Sequence, residues 1–86
     1  MSGPSKDAVA AEVIGIVAEV LGRDPAGLRA DTRAEDVEGW DSFALVRMVF
    51  AIEAAFPVRF TMAEIEEVGG MAPLIEAVQR KVTPPG

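Results

Sequence analysis

The chain has 86 residues, room for one small domain and too little for a large enzyme core, because a chain of this size buries only about 60–65% of the surface its unfolded form exposes. Half the residues are hydrophobic and 26% are charged, the composition of a globular chain rather than a disordered or collagen-like one. Eight Lys and Arg against fourteen Asp and Glu give a net charge of -6, which repels phosphate backbones and argues against nucleic acid as a partner. There is no Cys, His or Tyr, so thiolate nucleophiles, imidazole bases, disulfides and the usual zinc ligands are excluded. The longest apolar runs, Val13 to Ala18 and Met48 to Ile52, fall far short of the ~18–20 residues that span a bilayer. The opening Met-Ser-Gly-Pro-Ser-Lys-Asp has no apolar segment attached; a cytoplasmic location is the expectation.

One domain over residues 1–86 is expected, ordered from about Lys6 to Val82. The first five residues and Thr83-Pro84-Pro85-Gly86 are expected to fray. Val9, Val13, Ile16, Val17, Val20 and Leu21 lie on one helical face, and Gly22 stands where a left-handed cap would end that first helix. Arg23 to Asp41 then carries Asp24-Pro25, Gly27 and Gly39, with Leu28, Val37 and Trp40 as its bulky apolar anchors. It reads as a long ordered loop with a helical turn, a kind of segment that is usually functional or mobile in small domains.

A second helix is expected from Asp41-Ser42 to about Phe56-Pro57, opened by small polar residues and closed by proline. Thr61-Met62-Ala63-Glu64 matches a capping box and predicts a short third helix over about Met62 to Glu67, broken by Gly69-Gly70. Met71, Leu74, Ile75, Val78 and Val82 predict a fourth, with Pro73 in its first turn and Arg80 and Lys81 at its C-terminal end, where the helix dipole favours cations. The fold class is therefore all-α, a small four-helix bundle with a long loop between helices one and two.

At ~100° per residue, Leu45, Val49, Ile52 and Phe56 share one arc of the second helix, while Phe43, Val46 and Phe50 share another displaced by roughly 120°. The first arc suits a core. Periodicity alone favours covering the second with the third helix or the loop; left exposed, it would be an apolar patch of the kind that makes protein contacts. Ser2 and Ser5 fall in the expected flexible head, so Ser42 is the ordered serine, at a helix start that favours an anion on its oxygen. Taken alone, Asp-Ser before a helix is a capping feature.

The run Glu38-Gly39-Trp40-Asp41-Ser42-Phe43-Ala44-Leu45-Val46, followed by Phe50-Ala51-Ile52-Glu53-Ala54-Ala55-Phe56, resembles the acyl carrier protein family around its phosphopantetheine attachment serine. The likeness extends over nearly all of the expected folded unit. It implies a bundle of acyl-carrier type in which Ser42 receives 4′-phosphopantetheine from coenzyme A through a magnesium-dependent phosphopantetheinyl transferase. The arm's thiol, with an ordinary pKa near ~8.5, would then hold an acyl group as a thioester. The chain itself would be no enzyme but a monomeric substrate of others. Asp41 would help engage the transferase, although it also suits a helix cap. Phe43, Val46 and Phe50, with Arg47 and Glu53, would face partner enzymes, so that the resemblance reverses the reading of the second arc. Trp40 would pin the loop or flank the arm.

The second helix departs from fatty-acid carriers, which are typically acidic there: Ala44, Arg47 and Ala54 stand where acids are common, and only Glu53 is retained. The Gly39-Trp40-Asp41-Ser42 opening is more similar to free-standing carriers of dedicated pathways, polyketide assembly or a related secondary-metabolite route. The implied partners are an acyl- or aminoacyl-loading enzyme and ketosynthase or acyltransferase-type enzymes. Asp-Ser-Phe with Ala-Ile-Glu downstream is also similar to D-alanyl carriers, which leaves an aminoacyl or peptidyl carrier open. A further alternative is an acidic helical adaptor without prosthetic group, which would need no serine at position 42. Asp31, Arg33 and Glu35 break the acid spacing of an EF-hand loop, and no metal site is expected. Alanines 51, 55 and 77 and methionines 48, 62 and 71 suit either an ordinary core or one loose enough to take in a long acyl chain.

Overall fold

A computed structural model describes residues 5–82 of the chain. It contains α1 (Lys6–Leu21), α2 (Ser42–Ala55), α3 (Met62–Glu66) and α4 (Met71–Val82), with 3₁₀ turns at Pro25–Gly27 and Ala34–Asp36 in the loop after α1. The all-α bundle and the order of its helices agree with the expectation. Thr83–Gly86 and residues 1–4 lie outside the described residues; Ser5 is described and has a structural role. Its side chain accepts a hydrogen bond from the Ala8 N–H at 3.1 Å and caps α1, which removes one unpaired donor from the first turn. Gly22 ends α1 with φ of 67°, its N–H returning to the carbonyls of Ala18 and Glu19, as a left-handed cap requires.

The core draws one face from each long helix. Val9, Val13 and Val17 of α1 meet Met48 and Ile52 of α2 and Met71, Leu74 and Val78 of α4, all essentially without solvent contact. Leu28 and Val37 seal the loop side, and Phe56 and Val58 seal the end of α2. No buried polar or charged residue interrupts this cluster, so the described core is held by apolar burial, worth ~25 cal/mol per Å² removed from water. The buried arc of α2 runs from Ala44 and Met48 to Val49 and Ile52, roughly 140° of the helix and wider than periodicity suggested. Leu45 falls within this arc by angle but stands near the start of the helix and is only half-buried. Met48, Met71 and Ala77 are buried as core residues, whereas Met62 is 70% exposed and Ala55 lies at the surface.

The loop is fixed by backbone rather than side-chain bonds. Ala34 N–H donates to the Gly69 carbonyl at 3.1 Å, and Met71 N–H donates to the Thr32 carbonyl at 2.8 Å. Together they form an isolated antiparallel bridge between Arg33 and Gly70. A Cβ on Gly70 would lie 2.8 Å from the Thr32 carbonyl oxygen and 3.0 Å from the Arg33 Cα, so only glycine lets the two backbones close. The sequence marks Gly70 as a helix breaker; the reason it must be glycine is this approach.

α3 has no buried residue. The predicted capping box is present, with Thr61 Oγ1 accepting from Glu64 N–H at 3.1 Å and Glu64 Oε1 accepting from Thr61 N–H at 2.8 Å. The Lys81 ammonium donates to both Glu64 carboxylate oxygens at 2.9 and 2.8 Å. These bonds, Lys81 first and the Thr61 backbone next, hold the Glu64 carboxyl below the ordinary glutamate range.

Two outcomes follow for stability. Gly70→Ala must part the bridge and costs about 1–3 kcal/mol, measurable by chemical denaturation, with residual stability concentrated in α1, α2 and α4. Because the Glu64 pKa is lower in the folded than in the unfolded chain, its contribution is present above the unfolded value and is lost as pH falls through the folded one. The melting-temperature gap between wild type and Glu64→Gln is therefore expected at neutral pH and narrows as the solution is acidified below the ordinary glutamate range.

Candidate functional site

The chain enters α2 through Trp40 and Asp41. Trp40 is half-buried and packs against the core cluster, which anchors the end of the loop. Asp41 has extended backbone, and its Oδ1 accepts from Ala44 N–H at 2.8 Å, so the capping role open to it from sequence is the one its side chain performs. Ser42 follows as the first helical residue and is exposed. Its hydroxyl has no hydrogen-bond partner among the described residues. The N–H groups of Ser42 and Phe43, in the first turn, have no helical carbonyl to bond. An oxygen so placed sits at the positive end of a 14-residue helix and can accept a negatively charged substituent without losing an internal contact.

Ser42 opens onto a cavity of about 460 Å³ between α2 and α3, whose walls include Trp40, Leu45, Val46, Met62 and Ile65. A neighbouring cavity of about 360 Å³ shares Val46, Met62 and Ile65 and extends to Phe50 and Phe60. The two clefts therefore adjoin along one groove that starts at Ser42. The Trp40 ring that packs the loop also lines the cleft beside Ser42.

The second arc of α2 is exposed. Phe43 is 83%, Phe50 66% and Val46 41% exposed, and with Met62 they are the exposed large hydrophobics among the described residues. Phe43, Val46 and Phe50 occupy successive turns of one face, and Met62 adjoins it across the groove. Arg47 is exposed on the same side with no ion pair. Glu53 is half-buried, and its Oε2 accepts from the Phe60 N–H at 2.9 Å, which ties the end of α2 to the approach to α3.

Sequence reasoning did not find the part played by α3 in lining the groove, nor the Glu53 and Lys81 bonds that hold its approach. The capping box gave the position of α3 along the chain, but nothing local says which of its residues turns toward Ser42. Phe43→Asp and Phe50→Asp are expected to keep the helical circular dichroism of the wild type and to change stability by less than about 1 kcal/mol; loss of the helical signal would place those rings in the core.

No helix among the described residues is long and apolar enough to cross a membrane, and no group of their acids is disposed to hold a metal ion. A family model described as phosphopantetheine attachment site matches residues 11–78. No curated protein matches the chain.

Proposed function

This chain belongs to the phosphopantetheine attachment-site family, whose cofactor is a covalently bound 4′-phosphopantetheine, and on that footing we propose that Ser42 is the attachment residue of an acyl carrier. The observation that carries the assignment is the exposed, unpartnered hydroxyl at the start of α2, opening onto the groove toward α3. Such a site fits the group in three respects. The oxygen is accessible, the free N–H groups and dipole of the helix start favour the phosphodiester charge, and the cleft beside it offers apolar walls with polar edges at Asp41 and Glu66. Attachment joins the Ser42 oxygen to phosphorus in place of the adenosine bisphosphate of coenzyme A, the hydroxyl proton passing to a base of the transferase. When bound, the group supplies the thiol that the composition lacks, on which an acyl unit is held as a thioester.

The chain's own residues then bind and present. Asp41 sets the start of the helix and gives the transferase a feature to engage beside the serine. Phe43, Val46 and Phe50, flanked by Arg47 and Glu53, form the face offered to partner enzymes, because exposed rings on a small domain are hydrophobic surface awaiting burial. Catalysis belongs to those partners, ketosynthase or acyltransferase-type enzymes and a loading enzyme. The single exposed charge of α2 being cationic Arg47, with Glu53 engaged by Phe60, supports a dedicated pathway of polyketide or related type over general fatty-acid synthesis.

Incubation of the purified chain with coenzyme A and a broad-specificity phosphopantetheinyl transferase should add the mass of one phosphopantetheine to the wild type and nothing to Ser42→Ala. An unchanged wild-type mass, with circular dichroism confirming the fold, would leave a helical adaptor as the reading. In the same assay Phe43→Asp and Phe50→Asp should slow loading by about tenfold each, the effect of removing roughly 1.4 kcal/mol of contact energy.

A further inference from the structure

We propose that Lys81, at the end of α4, is a positioning residue that fixes α3 against α2 and thereby sets the width of the groove that begins at Ser42. The inference rests on the attachment reading above for its consequence, but its geometry stands apart from it.

α3 is an unusual wall. None of its five residues is buried, and none packs against the core cluster. The apolar anchors stand outside it, Phe60 before and Val68 after, both packed against the core. Between them the helix is a short bridge, and apolar burial does not determine how far it stands from α2. At the Val68 end the backbone is tied to the loop through the Ala34 N–H and Gly69 carbonyl. At the Phe60 end the ties are side chains. Lys81 donates to both oxygens of Glu64 and stands 5.3 Å from the centroid of the Phe60 ring, while Glu53 of α2 holds the Phe60 N–H.

Lys81 is thus the point where α4, the residue before the α3 cap and α3 itself meet. Its ammonium is partly withdrawn from water, as is the Glu64 carboxylate, and the two-oxygen contact gives it direction as well as charge. It projects from a helix whose Val78 is buried and whose Val82 packs against the core, so the tie ends on a rigid element. The residues whose position it governs are those that face Ser42 and the adjoining cleft, Met62 and Ile65. Without Lys81, Phe60 keeps its ring against the core and its N–H on Glu53, but Glu64 loses its tie to α4, so the first turn of α3 moves more widely about the fixed Gly69 end and the groove loses its defined width. An arm anchored on Ser42 would then spend less time against α3 and more in water.

The test uses the full chain, loaded to completion with the acetyl-pantetheine arm of acetyl coenzyme A by a broad-specificity transferase and checked by intact mass. Amide proton–nitrogen shifts are compared between unloaded and loaded protein. In the wild type, loading is expected to shift Val46, Met62 and Ile65 as well as Phe43 beside the serine. In Lys81→Met the shifts at Met62 and Ile65 should fall by about half or more while that at Phe43 persists, and Lys81→Arg should restore them. A purely stabilising ion pair would lower the melting temperature and leave these loading shifts alone. Glu64→Gln gives a second reading should Lys81→Met fail to fold, because glutamine still completes the capping box but carries no charge for Lys81. Unchanged shifts in both variants, or no shift at Met62 and Ile65 on loading the wild type, would overturn the positioning role while leaving Ser42 as the attachment residue. No gain of mass at all would remove both.

Discussion

The arrangement depends first on two backbones being able to touch. The loop between α1 and α2 is seated by Leu28, Val37 and Trp40, and its middle, where no large apolar side chain reaches the core, is held by the pair of hydrogen bonds across Gly70 to Thr32 and Ala34. Because a side chain at position 70 would collide with backbone atoms of the loop, one absent Cβ decides whether that loop lies down on the bundle. Trp40, Asp41 and the start of α2 follow from it, and so does the fixed end of α3. The site beside Ser42 is thus built at the meeting of a helix start and a backbone bridge distant in sequence, with the apolar core acting as the platform beneath both.

α2 divides two tasks between two faces. Ala44, Met48, Val49 and Ile52 are committed to the core, and this fixes the rotation of the helix about its axis. Phe43, Val46 and Phe50 are then carried outward as a consequence, at a cost in exposed apolar surface. The same rotation turns Ser42 outward and leaves Leu45 at the rim of the cleft. Stability and presentation are therefore not in competition here, since each draws on a separate arc.

Much of this was legible before any coordinates. Helix limits follow from neighbours in the chain: Gly22 ending α1, Asp41 opening α2, Thr61 and Glu64 framing α3. Periodicity placed Val49 and Ile52 inward correctly but favoured covering the second arc, which is exposed, because a helical wheel shows that a helix has two apolar faces but not which one its neighbours cover. The resemblance around Ser42 supplied the answer that geometry then gave. The cap supplied by Ser5 was not legible, because composition marks a terminus as polar without showing that one of its hydroxyls reaches a helix N–H. Met62 was counted among residues able to loosen a core, yet it stands in solvent at the groove, since a five-residue helix with no buried face gives no periodic signal.

By itself the amino-acid sequence determined the elements, their order and the serine that opens α2, because caps, breakers and amphipathic spacing act over three or four residues and are written in adjacent letters. Tertiary structure alone decided that Glu53 would be spent on the Phe60 N–H, that Lys81 would reach Glu64 across 17 positions, and that α3 would face Ser42 across a groove. Those outcomes depend on where separate segments come to rest, and a charge or a methyl group acquires such a partner only after the apolar core has fixed the distance between them.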